Sequence, residues 1–288
     1  MNMNKLVLGT AQFGMDYGIN NKRGKIPREE VFEILKTAFE AGIDSLDTAY
    51  AYGDSEIVIG DFIKSSGLDI KVISKLPVCD PEDVVNIFSI SSNRLSVDSL
   101  YGYYIHSFQH YRENPEVWDV LARLKSEGKI KKIGFSLYYP SELDYLLDND
   151  ITFDIIQVPY SVFDQRFGGY FPTLKAKSIE VYVRSVFLQG LLFKDPSDLS
   201  GNFRKVKARI QKLNLISKEL DLPLASLVLN FAVLNNYVDR VVVGVDNIEN
   251  LNELLTSVEH VDKVKPIISE LLAFREDDEN IILPVNWR

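Results

Sequence analysis

Short apolar runs alternate along this chain with longer segments in which apolar residues return every three or four positions. The runs are brief, rich in Val, Ile, Leu and Tyr, and apolar on successive residues. That is the pattern of strands buried on both faces. They predict strands at Leu6–Gly9, Ser45–Asp47, Val72–Lys75, Leu100–His106, Lys132–Ser136, Ile155–Val158, Glu180–Val186 and Val241–Gly244. The intervening segments have helical period. Glu29–Ala41 sets Val31, Ile34, Leu35, Ala38 and Phe39 on one stripe and stops at Gly42. Glu116–Ser126 does the same with Val117, Val120, Leu121 and Leu124 before Gly128. Ser141–Leu147 follows Pro140, a favoured first-turn residue, and Asn247–Leu255 follows Gly244. Strand and helix alternate throughout, which is the signature of βα units and a parallel sheet.

Eight such units suggest closure into an α/β (β/α)8 TIM barrel. A doubly wound sheet is the competing architecture, and its dinucleotide-binding form carries Gly-x-Gly-x-x-Gly after the first strand. Here that strand runs into Gly9-Thr10-Ala11-Gln12-Phe13-Gly14, which has the wrong spacing. The expectation is therefore one barrel domain over residues 1–288, a length within reach of a single barrel. The longest gap between strands, Phe187 to Arg240, opens with a polar stretch, Lys194 to Arg204, expected as a loop over the barrel mouth. Helices Val206–Leu220 and Leu224–Leu234 follow, split by Pro223. One more helix, Val264–Phe274, precedes a short extended end, Ile281–Arg288.

Composition narrows the functional classes. The formal net charge of −9 argues against nucleic acid and against anionic membranes as partners. Cys79 is the one cysteine, so no internal disulfide is available and nothing suggests an oxidising compartment. No stretch near the N-terminus has the apolar length of a signal peptide, and none elsewhere approaches the ~18 residues of a membrane span. A cytoplasmic location is the expectation, and no metal site is called for.

In a barrel of this type the chemistry lies at the C-terminal ends of the strands. The second predicted strand ends at Asp47, with Tyr52 in the loop that follows; the third ends at Lys75 and the fourth at His106. Each residue alone has an ordinary explanation: a turn cap, a loop aromatic, a solvated charge, a structural hydrogen-bonder. Together, at neighbouring strand ends, they describe an acid–base group. An ammonium near a phenol favours the phenolate and lowers its pKa, and a carboxylate keeps that ammonium charged. The tyrosine then protonates a carbonyl oxygen as hydride reaches the carbon, with the histidine orienting the carbonyl.

The segments that carry this group resemble the aldo-keto reductase superfamily. They are Gly9–Gly14, Asp47-Thr48-Ala49-Tyr50-Ala51-Tyr52-Gly53, Ser74-Lys75 and Tyr104-Ile105-His106. The resemblance continues through Gly134-Phe135-Ser136, Gln157-Val158-Pro159-Tyr160, Leu188-Gln189-Gly190-Leu191-Leu192 and Val243-Gly244, in the family's order and over nearly the whole chain. It implies NADPH or NADH held without a Rossmann domain, a small carbonyl substrate, and a catalytic tetrad of Asp47, Tyr52, Lys75 and His106. It implies that Ser136 and Gln157 hold the nicotinamide amide. It further implies that Gln189, Gly190, Leu191, Gly244, Val245 and Asn250 hold the phosphates and adenosine ribose, with Thr10 also on the cofactor side.

Three positions depart from the family pattern. Leu137 stands where an Asn is usual, removing one amide contact. Arg184 stands where an aromatic residue often stacks on the nicotinamide; it could stack there, reach a substrate anion or form a strand-end salt bridge. From Gly244 to His260 there is no Lys or Arg, and Asp246 occupies a place suited to a phosphate ligand, which points to NADH being tolerated or preferred. Phe13, Tyr17, Tyr50, Phe108 and Tyr138, with Tyr160 and Phe163, are candidate pocket walls. The segment Gly14-Met15-Asp16-Tyr17-Gly18-Ile19 is similar to a bacterial branch associated with sugar and polysaccharide metabolism, so a sugar-derived carbonyl is one expectation. The short tail beyond Phe274 suggests an open pocket. A cofactor-binding sensor with little turnover, and an isomerase or epimerase that returns its hydride, are the alternatives.

Overall fold

The apolar runs do become strands, and the strands close on themselves. In the computed structural model, which describes residues 3–19, 21 and 23–287, eight parallel strands form a barrel in the order β1 to β8. They are β1 (Leu6–Gly9), β2 (Ser45–Asp47), β3 (Lys71–Leu76), β4 (Leu100–Ile105), β5 (Ile130–Ser136), β6 (Ile155–Pro159), β7 (Glu180–Arg184) and β8 (Arg240–Gly244). Closure is made by β1 against β8, with Leu6 opposite Val241 and Gly9 opposite Gly244.

Side chains alternate across a strand, so each strand feeds two different cores. Outward residues such as Leu6, Leu8, Leu46, Val72, Tyr103, Phe135, Ile156 and Val183 join one continuous core with the surrounding helices. Inward residues Val7, Ile73, Tyr104, Ile155 and Tyr182 form a separate cluster. That this cluster fills the lumen follows from contacts between strands that are not neighbours. Tyr104 on β4 meets Tyr182 on β7 edge-on at 6.4 Å between ring centroids. A Cβ on Gly102 of β4 would come within 2.7 Å of Ile155 Cδ1 on β6, so glycine is what lets these side chains meet across the barrel.

The helices follow their apolar stripes: Arg28–Glu40, Ser55–Ser66, Val84–Leu95, Glu116–Ser126, Pro140–Asp148, Lys207–Glu219, Leu224–Val233 and Ile248–Ser257. No helix among the described residues is long and apolar enough to cross a membrane.

Several expectations need correction. Strand β7 stops at Arg184 rather than Val186, because Ser185 takes a left-handed backbone (φ 62°) that ends the strand. The segment expected as one helix over Val264–Phe274 is broken into Val261–Val264, a 3-10 turn at Lys265–Ile267 and Ile268–Leu272, with Pro266 at the break. The tail is not extended: Glu279–Ile282 and Pro284–Asn286 are helical turns, and Ile281, Ile282 and Leu283 are buried. Arg288 lies outside the described residues. Nor does Lys194–Arg204 cover the mouth. Phe203 packs edge-on against Trp287 at 5.0 Å and Lys205 pairs with Asp278, so this stretch is tied to the tail.

Candidate active site

The functional layer is the lumen cluster advanced by one strand repeat. Two residues beyond Val7, Ile73, Tyr104, Ile155 and Tyr182 come Gly9, Lys75, His106, Gln157 and Arg184, and all five line a single cavity at the C-terminal end of the barrel. Asp47, Ser136 and Gly244 join them from β2, β5 and β8. The cavity holds about 460 Å³, within the usual range for small-molecule sites, and runs from Tyr52 and His106 to Asn250 and Glu253.

Tyr52 comes from a loop rather than a strand, so its placement needs a separate cause. The loop is a tight turn in which Tyr52 N–H donates to Ala49 O and Ser55 N–H to Tyr52 O, each at 3.0 Å. It is pressed against the loop after β1: a Cβ on Gly14 would lie 1.8 Å from Tyr52 O, and one on Gly53 would lie 2.3 Å from Gly14 O. Two glycines from separate motifs thus let two backbones touch and fix the tyrosine over the barrel.

Lys75 is 1% exposed at its side chain and donates to Asp47 Oδ1 at 2.6 Å and to Thr48 O at 2.7 Å. Asp47 Oδ2 accepts from Gln157 Nε2 at 2.7 Å. The Lys75 ammonium lies 5.2 Å from the centre of the Tyr52 ring, and the Tyr52 and His106 rings meet edge to face at 6.0 Å. All four candidate catalytic residues therefore converge.

The electrostatics differ from the simplest reading of this group. Burial, reinforced by the negative charge of Asp47, pushes the Tyr52 phenol above its ordinary range. Burial also draws Lys75 below its ordinary value, against the pull of Asp47. The net shift of the tyrosine is thus upward rather than the lowering expected from the lysine, because burial disfavours the phenolate and Asp47 adds to it. Burial, and then the cations Lys75 and Arg184, lower the His106 imidazole from 6.5 to about 3. His106 is accordingly neutral at physiological pH, able to donate one hydrogen bond without carrying charge.

A prediction follows with its sign. Between pH 6.5 and about 3 the unfolded chain binds a proton at this histidine that the folded chain refuses, so folding stability falls as pH falls through that interval. Replacing His106 with glutamine should flatten the decline measured by urea unfolding, and the wild-type rate profile should show no inflection near the ordinary imidazole value. An inflection there that vanishes in the variant would contradict the assignment.

The remaining cavity offers a donor and acceptor set that suits a nicotinamide dinucleotide. Ser136 and Gln157 are register partners on β5 and β6. With its Nε2 on Asp47, Gln157 leaves its carbonyl oxygen to accept from a carboxamide. Leu188, Gln189 and Gly190 run consecutively through left-handed backbone after β7; the Leu188 and Gly190 amides donate to Ser185 O and Phe187 O, each at 2.9 Å, which closes the turn and sets Gln189 and Gly190 against the cavity. Gly244 is exposed, and a side chain there would crowd the Gln12 amide at 3.1 Å. Gly244, Val245, Asp246 and Asn250 all line the cavity. Thr10 lines it too, but its hydroxyl is committed to Asp47 O and Ser55 Oγ. Leu191 does not: it is buried in the outer core.

Of the candidate pocket walls, Tyr17 and Tyr138 line the cavity and Phe13, Tyr50 and Phe108 do not. The helical turn Ala11–Gly14 carries Phe13 into the core. Tyr50 lies under the Arg94 guanidinium at 4.6 Å. Phe108 opens the helix Phe108–Glu113 and packs on Tyr111 and Tyr145. Tyr160 stacks on Phe231 and Phe163 is fully buried. Val186, Phe187 and Phe193 take their place, from the irregular loop after β7. Gln12, in the Gly9–Gly14 segment, donates to Asp246 Oδ1 at 3.2 Å, a role the sequence does not announce. Nor does any motif point to Arg23, which reaches Asp246 O at 3.3 Å while paired through both nitrogens with Glu30. Among the described residues, none beyond Leu254 lines the cavity.

Known proteins similar to this chain bear on its family and fold. The uncharacterised oxidoreductase YqkF of Bacillus subtilis is 26% identical over 278 residues, 87% of this chain and 90% of that one. The NADH-specific methylglyoxal reductase of Escherichia coli is 27% identical over 222 residues, 66% of this chain and 65% of that one. The holo form of an aldo-keto reductase from Bacillus halodurans superimposes with a TM-score of 0.76 at 22% identity, covering 96% and 94% of the two chains, and so shares the fold. The Aldo/keto reductase family model matches residues 5–272. With that match over nearly its full length, the chain belongs to the aldo/keto reductase family and is an NAD(P)H-dependent oxidoreductase.

Proposed function

We propose that the protein reduces an aldehyde or ketone with Tyr52 as the general acid. The observation that carries this is the meeting of Tyr52, Lys75, Asp47 and His106 at one end of an open cavity. A bound nicotinamide cofactor supplies the hydride. Tyr52, kept protonated by burial, gives its proton to the carbonyl oxygen as that oxygen becomes an alkoxide, which is more basic than a phenolate. Neutral His106 donates to the same oxygen and sets its angle, and Lys75 holds a positive charge beneath the phenol, fixed by Asp47 and Thr48 O. Gln157 locks Asp47 from the far side. Ser136 and the Gln157 carbonyl oxygen orient the nicotinamide amide. The test follows product and reduced-cofactor absorbance together over a panel of simple and sugar-derived aldehydes. Stoichiometric oxidation supports the reductase. Conversion without net oxidation would instead mean an isomerase, and tight cofactor binding without conversion a sensor.

The aromatic walls Tyr17, Tyr138 and Phe187 suit a sugar-derived or flat carbonyl. The cavity end away from Tyr52 carries Asp246 and Glu253, and the nearby cation, Arg23, is engaged by Glu30. An extra ribose phosphate there meets carboxylates, whereas a free ribose hydroxyl finds an acceptor. NADH is therefore expected to bind at least as tightly as NADPH, as the name of the Escherichia coli relative also suggests. Asp246→Asn should shift the ratio of dissociation constants toward NADPH by about fivefold, roughly 1 kcal/mol. A wild-type protein that binds NADPH much more tightly would refute this.

A further inference from the structure

Two cationic side chains line the cavity, and only one is neutralised. Lys75 is paired with Asp47; Arg184 has no carboxylate within ion-pair distance among the described residues. The guanidinium is placed with some care nonetheless. Arg184 ends β7, yet its side chain crosses β6 toward β5, where Nη2 donates to Leu137 O at 3.0 Å and the group lies 4.2 Å over the Tyr138 ring. Nη1 turns back to Ser185 Oγ at 3.3 Å. Two of its five N–H donors are thus used, and Tyr138 forms a floor beneath the plane. It leans away from β8 and so from Gly244–Asn250.

The neighbouring acids are occupied elsewhere. Glu142 faces the guanidinium from the next helix, but its Oε2 accepts the backbone N–H of Tyr138 at 2.7 Å and of Tyr139 at 3.0 Å. Arg166, the next cation on that side, is neutralised by buried Asp164 at 2.9 Å and by Glu279 at 3.2 Å. A half-buried, stacked and immobilised cation with spare donors, opening on the same cavity as Tyr52 and His106, is the arrangement that reads a planar oxyanion.

We infer that Arg184 is a carboxylate subsite, and that the carbonyl compound reduced here carries a carboxylate. The inference rests on the reductase reading for its second half only. A single carboxylate matches the one cavity cation without an ion-pair partner among the described residues, and two N–H groups of the fork can hold both its oxygens.

The test compares 4-carboxybenzaldehyde with its methyl ester as substrates, and benzoate with benzamide as unreactive ligands of the cofactor-loaded protein by calorimetry. Wild type should prefer the acid over the ester by about tenfold or more in kcat/KM and bind benzoate over benzamide. In Arg184→Gln the acid-to-ester ratio should collapse toward one through the KM of the acid, and the benzoate preference should disappear. Arg184→Lys should retain part of both. If acid and ester fall by the same factor in Arg184→Gln and cofactor affinity falls with them, the guanidinium serves the nicotinamide instead and the inference is overturned. No preference in wild type overturns it as well. Arg184-dependent benzoate binding with neither aldehyde turned over would sink the reductase reading while leaving the subsite. Ester turnover with benzoate bound no better than benzamide would do the reverse.

Discussion

Replacing Tyr52 with phenylalanine should lower kcat by about a thousandfold while leaving cofactor affinity unchanged, since a positioned general acid contributes ~10²–10⁴ in rate. The substitution is structurally mild. The Tyr52 hydroxyl makes no protein hydrogen bond among the described residues, and a phenylalanine ring keeps the edge-to-face contact with His106. Thermal stability should therefore hardly move, which separates lost chemistry from lost folding. Because burial and Asp47 push the phenol above its ordinary range, loss of the Tyr52 proton should add no basic limb to the wild-type rate below about pH 10, the value of a free tyrosine, and a limb there should belong to Lys75, whose pKa burial lowers. A Tyr52→Phe protein that turns over at a rate near wild type would remove the phenol from the proton transfer.

The second large effect is expected at Lys75. Its side chain and that of Asp47 are 1% and 5% exposed, so methionine at position 75 leaves a carboxylate buried with only Gln157 as partner. Breaking one side of a buried pair costs about 3–5 kcal/mol, readable as a drop in the urea midpoint, and activity should be lost with it. The double variant Lys75→Met with Asp47→Asn removes the stranded charge as well. It should recover much of the stability and none of the turnover. Recovery of both would show that the ion pair serves only the fold; recovery of neither would mean that packing rather than charge sets the cost.

The tetrad was legible in the sequence for a geometric reason. Strands of a closed parallel barrel end at one rim, so residues at strand ends converge whatever their distance along the chain, and Asp47, Lys75 and His106 each sit within one residue of such an end. Tyr52 was legible through its neighbours in the motif, although the Gly14–Gly53 contact that fixes it is a meeting of two loops that no periodicity announces. The loops themselves were read less well. Phe13 and Phe108 looked like pocket walls because both follow strand ends, but each begins or enters a short helix that turns it inward. Phe187 and Phe193 drew no reading from the sequence and line the cavity, because three successive left-handed residues redirect the chain between them. Arg23 acts beside Asp246 from more than two hundred positions away, so counting cations along 244–260 missed it. The direction of the tyrosine shift was also out of reach: the residue types suggest an ammonium next to a phenol, and the burial that outweighs it shows only in the folded chain.

The alternation of β3 ties the chemistry to the outer shell through a single peptide step. Lys75 faces the lumen and Asp47, while the preceding Ser74 faces outward, where its hydroxyl donates to buried Glu56 at 2.7 Å. Deleting Ser74 would carry Lys75 through the wall to the outer face and bring Leu76 into the lumen. The lumen would hold a leucine where Asp47 needs its ammonium, and the helical layer would gain a cation beside Glu56, so one deleted residue would disturb the charge balance on both sides of the wall at once.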